Sequence, residues 1–199
     1  MVDISFPFGD SDGPAFDDIG EFVPENIPEP DAFLSGHEVL IGDAHVDFHT
    51  LTRELFEERG VYDMTFDYNL ARLNLDPRHP NAGYRYAEDA AEPEILRAEF
   101  TPTTPFCPQT HTLMLGSFRA WNGLADRHNY DLVRVRSHPM HHKSEAINAK
   151  LSEIETTYRE TGAMPAPAET ADNGGEIDTP SMEGGTEIGE PTESPDAPF

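Results

Sequence analysis

Residues 95–124 contain a strand, a proline-rich loop and a helix in succession, and this unit constrains the fold more than any other stretch of the chain. Apolar and charged residues alternate over 95–101, which is the period of a strand with one buried face. Apolar residues recur at helical spacing over 113–124. The pattern therefore predicts a strand that turns through a short, stiff loop into a helix.

The loop holds Cys107, the only cysteine of the chain. Pro108 cannot lie inside a helix but suits its first position, which predicts Cys107 at the N-cap. A thiol at an N-cap feels the positive end of the helix dipole, and this favours the thiolate, the form that binds metals. The residues alone leave two interpretations open: a metal- or cluster-binding thiol, or a small buried hydrophobic residue.

The remaining periodicities extend this unit to an α+β domain. They predict a helix over 43–59, a strand over 62–68, a second strand or its continuation over 70–76, a polar excursion over 83–94, a strand over 131–136 and a helix over 143–159. The order α-β-(β)-β-α-β-α predicts a small three- or four-stranded sheet with helices on one face.

Composition divides the chain into a central domain over 37–161 and two acidic tails, 1–36 and 162–199. The tails are rich in Pro, Gly and acidic residues and contain neither Lys nor Arg. Such segments do not bury enough apolar surface to fold, so both tails are expected to be disordered. The phenylalanines of the first tail leave open a short docking motif or a strand that folds back.

The formal net charge of −25 arises from 38 acidic and 13 basic residues, and Lys143 and Lys150 are the only lysines. This balance is typical of a cytoplasmic protein from a salt-adapted archaeon, where molar salt screens the repulsion. A nucleic-acid partner is not expected, because no stripe of basic residues is present to neutralise phosphates. A single cysteine excludes an intramolecular disulfide, and no apolar run is long enough to predict a membrane span.

Four histidines are the candidate metal ligands that accompany Cys107. His111 lies four residues after the cysteine, and His138, His141 and His142 precede the last predicted helix. If the loop containing these three histidines folds towards Cys107, a Cys/His site for Zn²⁺ or iron becomes available. For the three loop histidines taken alone, a solvated polar loop is the simpler interpretation.

Two further histidines, His45 and His49, lie four residues apart on the first predicted helix and can share a face. The segment between them lacks the Glu of a zinc protease motif, so they are expected to be an exposed or partly packed pair. The chain also lacks a Gly-rich phosphate loop and a G-x-S-x-G nucleophile elbow.

The run from residue 100 to 108 resembles the Thr-Thr-Pro-x-Cys-Pro signature of the iron–sulfur cluster assembly domain family, to which the SufT and PaaD proteins belong. The residues that match around Cys107 are Thr103, Thr104, Pro105 and Pro108. Segments 59–64, 130–135 and 137–146 are similar to that family's first strand, third strand and final loop with helix. The resemblance covers residues 60–151 in the right order, and the cysteine motif is its specific part.

The resemblance implies a small α+β fold and an accessory or carrier protein, not an enzyme, in iron–sulfur cluster assembly. It implies that Cys107 contacts the cluster or its donor, and that the partners are iron–sulfur assembly or client proteins. Because a cluster takes about four thiolate ligands, one thiol indicates a cluster bound transiently or shared across a homodimer. Two features depart from the family: residues 57–59 replace its Asp-Pro-Glu segment, and residues 69–94 form an insertion.

Two other functions stay open at the level of the sequence. One is a non-catalytic protein-interaction module that keeps the fold without cluster chemistry, with the acidic tails and phenylalanines carrying the binding. The other is a mononuclear metal-binding protein or hydrolase that combines Cys107 with the nearby histidines.

Overall fold

The computed structural model describes residues 16–18 and 20–164, so the disorder expected for 1–15 and 165–199 lies outside the described residues. The described elements are β1 (Glu38–Val39), α1 (Gly42–Arg59), β2 (Tyr62–Asp63), β3 (Tyr68–Asn69), β4 (Gly83–Glu88), β5 (Ile95–Thr101), α2 (Thr110–Gly123), β6 (Leu132–Ser137) and α3 (Ser144–Thr161). Two 3₁₀ helices, Leu70–Leu75 and Ala125–Arg127, join them. Within this part of the chain, no helix combines the length and apolarity needed to cross a membrane.

Four strands form the main sheet in the order β1-β4-β5-β6, and β2 pairs with β3 in a separate hairpin. β4 runs antiparallel to both β1 and β5, whereas β5 and β6 are parallel. Parallel neighbours need a crossover connection, and α2 provides it. The predicted α+β class, with a small sheet and helices, is confirmed.

Aromatic side chains join α1 and α2 to one face of the sheet. The ring of Trp121 in α2 is fully buried, and its centroid lies 5.0 Å from that of Tyr84 in β4 and 4.9 Å from that of Phe56 in α1. An edge-to-face pair between Phe118 and Tyr158, 5.8 Å between centroids, joins α3 to α2. Such pairs add to the free energy gained by burial, so the three helices and the sheet share one core.

The strand predicted over 62–68 is wrong, because these residues form the tight hairpin of β2 and β3. Asp63 ends β2, and its Oδ1 accepts hydrogen bonds from the backbone N–H groups of Thr65 at 2.7 Å and Phe66 at 3.2 Å. Asp67 then adopts a left-handed φ of 55°. The Asp63 carboxylate thus binds backbone groups that a strand partner would otherwise take, and the chain turns.

The strand predicted over 70–76 is also wrong, because Leu70–Leu75 is a 3₁₀ helix. Its first turn is capped by Asn69, whose Oδ1 accepts a hydrogen bond from the N–H of Ala71 at 3.0 Å. Later in the helix, the Asn74 side chain donates to the carbonyl of Tyr84 and accepts from its N–H, both at 2.7 Å. The 3₁₀ helix is therefore docked against the start of β4.

The polar excursion predicted over 83–94 contains β4, an inner strand of the main sheet. Tyr84 and Tyr86 are fully buried on the helix-covered face, while Arg85 between them points to the other face. This alternation has the period of a strand. The tyrosine hydroxyls and the arginine make this segment look polar, so the alternation is not visible when only hydrophobic residues are counted.

Residues 20–36 are packed against the domain, which corrects the expectation of a disordered tail for this part of 1–36. Phe33 lies on the face of the sheet opposite α1 and α2, whereas the ring of Phe22 lies 5.1 Å from that of His45 in α1. Leu34 and Ile27 are buried. The carbonyl oxygen of Phe33 accepts a hydrogen bond from Arg97 of β5 at 2.9 Å. Burial of these apolar side chains offsets part of the entropy lost on ordering the segment.

Candidate functional site

The parallel pairing of β5 with β6 brings two loops to one edge of the sheet. Both strands end there, at Thr101 and Ser137, and the loops that follow are 102–109 and 138–143. The carboxyl ends of parallel strands are where open α/β sheets commonly bind ligands. The topology thus places the loop of Cys107 beside the loop that contains His141 and His142.

Cys107 precedes α2 by three residues, because the helix begins at Thr110 with Gln109 at its N-cap. The predicted N-cap position of Cys107 and first-turn position of Pro108 are therefore wrong. The Cys107 N–H donates to the carbonyl of Thr104 at 3.4 Å, and its own carbonyl accepts from the N–H of Thr110 at 3.4 Å. These two turns hold the thiol just outside the helix, where the dipole acts on it less strongly than at the cap.

Two histidines of the second loop hold the cysteine loop in place. The Nε2–H of His141 donates to the carbonyl oxygen of Cys107 at 3.0 Å, since its Nδ1 accepts from the N–H of Lys143 at 3.2 Å. His142 donates to the carbonyl oxygen of Pro105 twice, from Nδ1 at 2.7 Å and from its backbone N–H at 3.0 Å. Three hydrogen bonds thus fix the loop that presents the thiol, two of them from histidine side chains.

The half-exposed Cys107 opens into a cleft of about 330 Å³ between the two loops. It is lined by Cys107, Pro108, His111, His141, His142, Lys143, Ala146 and Ile147. His138, by contrast, is not among these lining residues, and its Nδ1 accepts a hydrogen bond from the N–H of Met140 at 3.0 Å. The structure therefore gathers four of the five predicted ligands at one cleft and leaves the fifth outside it.

The cleft differs in charge from the chain as a whole. Its lining contains no Asp or Glu, and it includes Lys143, one of the two lysines of a chain with 38 acidic residues. The Phe106 ring stands at the rim with 71% of its surface exposed, and its centroid lies 5.0 Å from that of His142. This surface suits an anionic ligand, and Phe106 offers an apolar contact beside it.

Cys107 and its neighbouring histidines do not form a complete metal site. Among the described residues, no group of three or more His, Cys, Asp or Glu side chains is arranged to hold a metal ion. His141 is only 3% exposed, and both of its ring nitrogens are already hydrogen-bonded. The donors left in the cleft are the Cys107 sulfur, the His111 ring and Nε2 of His142. Any metal or cluster held here therefore needs further ligands from another molecule.

The other motif residues shape the loop. Thr104 and Pro105 supply the carbonyl oxygens that accept from Cys107 and His142. Pro108 lines the cleft, and Thr103 lies half-buried at the start of the turn. Residues that precede proline avoid helical geometry, so the prolines delay the start of α2, and the chain makes two successive turns before the helix begins.

His45 and His49 are buried in the core, so the expectation of an exposed or partly packed pair is wrong. Their rings are stacked with centroids 5.4 Å apart. Nε2 of His49 donates to the carbonyl of Ala71 at 2.7 Å, and Nδ1 accepts from the hydroxyl of Tyr86 at 2.8 Å. Burial lowers the pKa of His45 to about 2 and that of His49 to about 4. Both are neutral packing residues and lie apart from the cleft.

Residues 14–165 match the model of a family described as "Domain of unknown function (DUF7998)". The chain belongs to this family. The matched range includes the main sheet, both loops of the cleft and the whole of residues 20–36. No curated protein and no solved structure matches the chain. The family description assigns no activity, so a functional argument has to come from the cleft itself.

Proposed function

We propose that this protein is an accessory or carrier protein in iron–sulfur cluster assembly, and that Cys107 contacts the cluster or metal during transfer. The observation that carries the proposal is the position of the thiol. It opens into a cleft that also contains the rings of His111 and His142. The Thr-Thr-Pro-Phe-Cys-Pro sequence and its resemblance to the cluster assembly family support the same function.

The incomplete ligand set favours transfer over storage. A cluster takes about four thiolate ligands, and this chain has one cysteine. The remaining ligands come from a second subunit or from the client protein during handover. A site that supplies only some of the ligands of a cluster releases the cluster readily, and a carrier protein requires such release.

The charge of the cleft favours the same cargo. A cluster ligated by thiolates carries a net negative charge, and most of this protein's surface repels anions because of its own charge of −25. The cleft lining has no carboxylate and contains Lys143, so the repulsion is weakest there. The hydrogen bonds from His141 and His142 hold the loop ready before the ligand arrives, which lowers the entropic cost of binding.

Anaerobic reconstitution with ferrous iron and sulfide tests the proposal. The wild-type protein should gain visible absorbance bands and pass the cluster to an apo-ferredoxin, and Cys107→Ser should lose both properties. His111→Asn should weaken cluster retention, because it removes a donor from the cleft. His138→Asn is the matched control, since this histidine belongs to the same loop as His141 but is not among the residues that line the cleft.

Absence of a visible band in the wild type, together with no transfer to the acceptor, contradicts the proposal. Equal loss of absorbance in His138→Asn and Cys107→Ser also contradicts it, because a general disturbance of the loops then explains both. Circular dichroism of each variant confirms that the fold is kept, so a negative result refers to the chemistry of the cleft.

Exposure of Phe106 supports a second function, a protein-interaction module at the same edge. The Phe106 ring has 71% of its surface exposed at the rim of the cleft, and aromatic residues are enriched in protein–protein interfaces. Under this alternative, Phe106→Ala removes partner binding while Cys107→Ser leaves it intact. Under the carrier function, Cys107→Ser removes cluster transfer even where partner binding persists.

A further inference from the structure

The segment 20–36 crosses a face of the sheet that is lined by charged residues. On β5, Arg97 and Glu99 point to this face, while the apolar residues between and beside them point to the helices. The guanidinium of Arg97 lies 4.8 Å from the ring centroid of Phe33 and donates to the Phe33 carbonyl at 2.9 Å. The guanidinium of Arg85 on β4 lies 5.2 Å from the ring of Phe22. The segment is thus attached to the charged side of the sheet by the Phe33 ring and the backbone, whereas the Phe22 ring also lies 5.1 Å from the ring of His45 in α1.

Glu99 lies at the centre of this contact and is 1% exposed. Its Oε1 accepts a hydrogen bond from the backbone N–H of Asp31 at 3.0 Å, and this bond connects the segment directly to β5. Its Oε2 is buried and has no hydrogen-bond partner in the described part of the chain. A buried ionised carboxylate with so few donors is strongly disfavoured, so the site favours the protonated carboxyl.

Positive groups stand opposite Glu99 on both neighbouring strands, but none of them forms an ion pair with it within the described residues. Arg136 of β6 binds Glu155 of α3 at 2.8 Å and the carbonyl of Val135 at 2.7 Å. Arg85 of β4 faces Phe22, and its buried Nε has no hydrogen-bond partner among the described residues.

The neighbours on β5 and on the segment also leave Glu99 without a counter-charge. Arg97, two residues before it, is held by Asp89 at 2.7 Å. Thr101, two residues after it, has a buried hydroxyl with no partner among the described residues. Asp31, on the segment itself, brings a like charge towards the carboxyl. Burial, followed by this repulsion, raises the pKa of Glu99 to about 7.

We propose that residues 20–36 form a strap whose attachment to the sheet weakens when the Glu99 carboxyl loses its proton. The proton is held while the strap covers the site. Once it is lost, the carboxylate needs water or further donors, and lifting of the strap supplies them. Closure of the strap and protonation of Glu99 are therefore thermodynamically linked, so the fraction of molecules with an open strap increases as the pH rises. This device does not depend on the function proposed for Cys107.

Hydrogen exchange of the strap amides as a function of pH tests the linkage. In the regime where reclosing is fast, the exchange rate is the intrinsic rate multiplied by the opening constant. The intrinsic rate rises about tenfold per pH unit, and between the pKa of Glu99 in the open strap and its pKa in the closed strap the opening constant adds up to another factor of about ten per pH unit. Above the closed-state pKa, Glu99 is ionised in both states and the opening constant no longer changes. As the pH rises, the slope of the logarithm of the rate for the Asp31 amide should therefore fall from about two to about one near neutral pH in the full-length wild type.

Two variants and one internal reference complete the test. Glu99→Gln cannot ionise, so the Asp31 amide should keep a slope of about one throughout. Asp31→Asn removes the like charge and should move the break in slope to lower pH. The Val133 amide, bonded to Oδ1 of Asn122 at 2.8 Å beneath α2, reports whether the whole domain opens instead.

A constant slope of one for the wild-type strap amides from pH 5 to 9 would overturn the proposal. So would a break in slope that persists in Glu99→Gln, or one that the Val133 amide shares. If Glu99→Gln does not fold, the shift of the midpoint in Asp31→Asn and a direct carboxyl titration of Glu99 by ¹³C NMR decide the question.

Discussion

The two faces of the main sheet are covered in different ways. α1 and α2 cover one face with fully buried aromatic rings around Trp121, whereas an irregular segment covers the other through arginines, Glu99 and a few apolar anchors such as Leu34. The helices α1 and α2 have their own internal backbone hydrogen bonds, whereas the irregular segment depends on its contacts with the sheet. The comparison indicates that the helical face carries most of the folding free energy, while the strap face contains Glu99, the buried carboxyl on which the proposed pH response depends.

The largest expected effect tests the helical face. Trp121→Ala should lower the free energy of unfolding by about 3–5 kcal/mol, because it empties the centre of the aromatic core and removes the hydrogen bond from Nε1 to Thr52 at 3.1 Å. Urea denaturation measures the change. Trp121→Phe, which refills much of the volume, should recover a large part of it, and a loss below 1 kcal/mol in the alanine variant contradicts this view of the core.

Substitution of one buried leucine on each face compares the stability contributions of the two faces directly. Leu34 in the strap and Leu96 of β5 on the helical face are both fully buried. We expect Leu96→Ala to cost about 3–5 kcal/mol and Leu34→Ala about 2 kcal/mol, because the strap can readjust or detach whereas the core relaxes only partly. Denaturant titration of both variants measures the difference. Equal losses would mean that the two faces unfold as one unit.

The two faces should also respond to pH with opposite signs. His45 and His49 have folded-state pKa values of about 2 and about 4, below their unfolded value of 6.5. The unfolded chain therefore takes up protons first, and stability falls as the pH drops below 6.5. Glu99 has a folded-state pKa of about 7, above its unfolded value of 4.5, so its contribution is lost as the pH rises through that window.

Denaturation at pH values from 4 to 9 measures both responses, which act over overlapping pH ranges with opposite signs and partly cancel in the wild type. His49→Gln should make the loss of stability below pH 6.5 shallower, whereas Glu99→Gln should make it steeper, because the opposing contribution is removed. A pH profile that is unchanged in Glu99→Gln would assign that response to another group.

The smallest effects are expected at the cleft. Cys107→Ser should change the free energy of unfolding by less than about 0.5 kcal/mol, because the side chain is half-exposed and lies in a loop. His141→Ala should cost about 1–3 kcal/mol, because it removes the buried ring that donates to the Cys107 carbonyl. Thermal denaturation distinguishes the two. A large loss in Cys107→Ser would instead assign the thiol a structural role.

Much of the fold could be predicted from local patterns, and the failures have identifiable causes. The bounds of α1, β5, β6 and α3 agree with their predicted ranges to within two residues. The alternation over 62–68 predicts one strand, but the Asp63 side chain binds backbone N–H groups and turns the chain into a hairpin. The pattern of apolar residues does not show this side-chain hydrogen bond. β4 was missed because its buried residues are tyrosines, whose hydroxyls find partners only in the folded core.

For the candidate site, the sequence predicted the cysteine and four histidines but not their separate roles. His141 binds the Cys107 carbonyl, His142 binds the Pro105 carbonyl, and His138 lies outside the cleft lining. Such distinctions depend on contacts between residues 34 and 37 positions apart in the chain, which no local periodicity encodes. The importance of Lys143 could have been noticed from its rarity alone, since the chain has only two lysines.

The sequence by itself determined the strand–loop–helix unit around Cys107, the α+β class and the acidity of the chain, because periodicity, proline stereochemistry and charge act over a few residues. The tertiary structure decided which elements meet. Parallel pairing of β5 with β6 made the cleft, and the burial of Glu99 beneath residues 20–36 made the strap. Both depend on long-range packing, in which the free energy of a residue is set by neighbours distant in sequence.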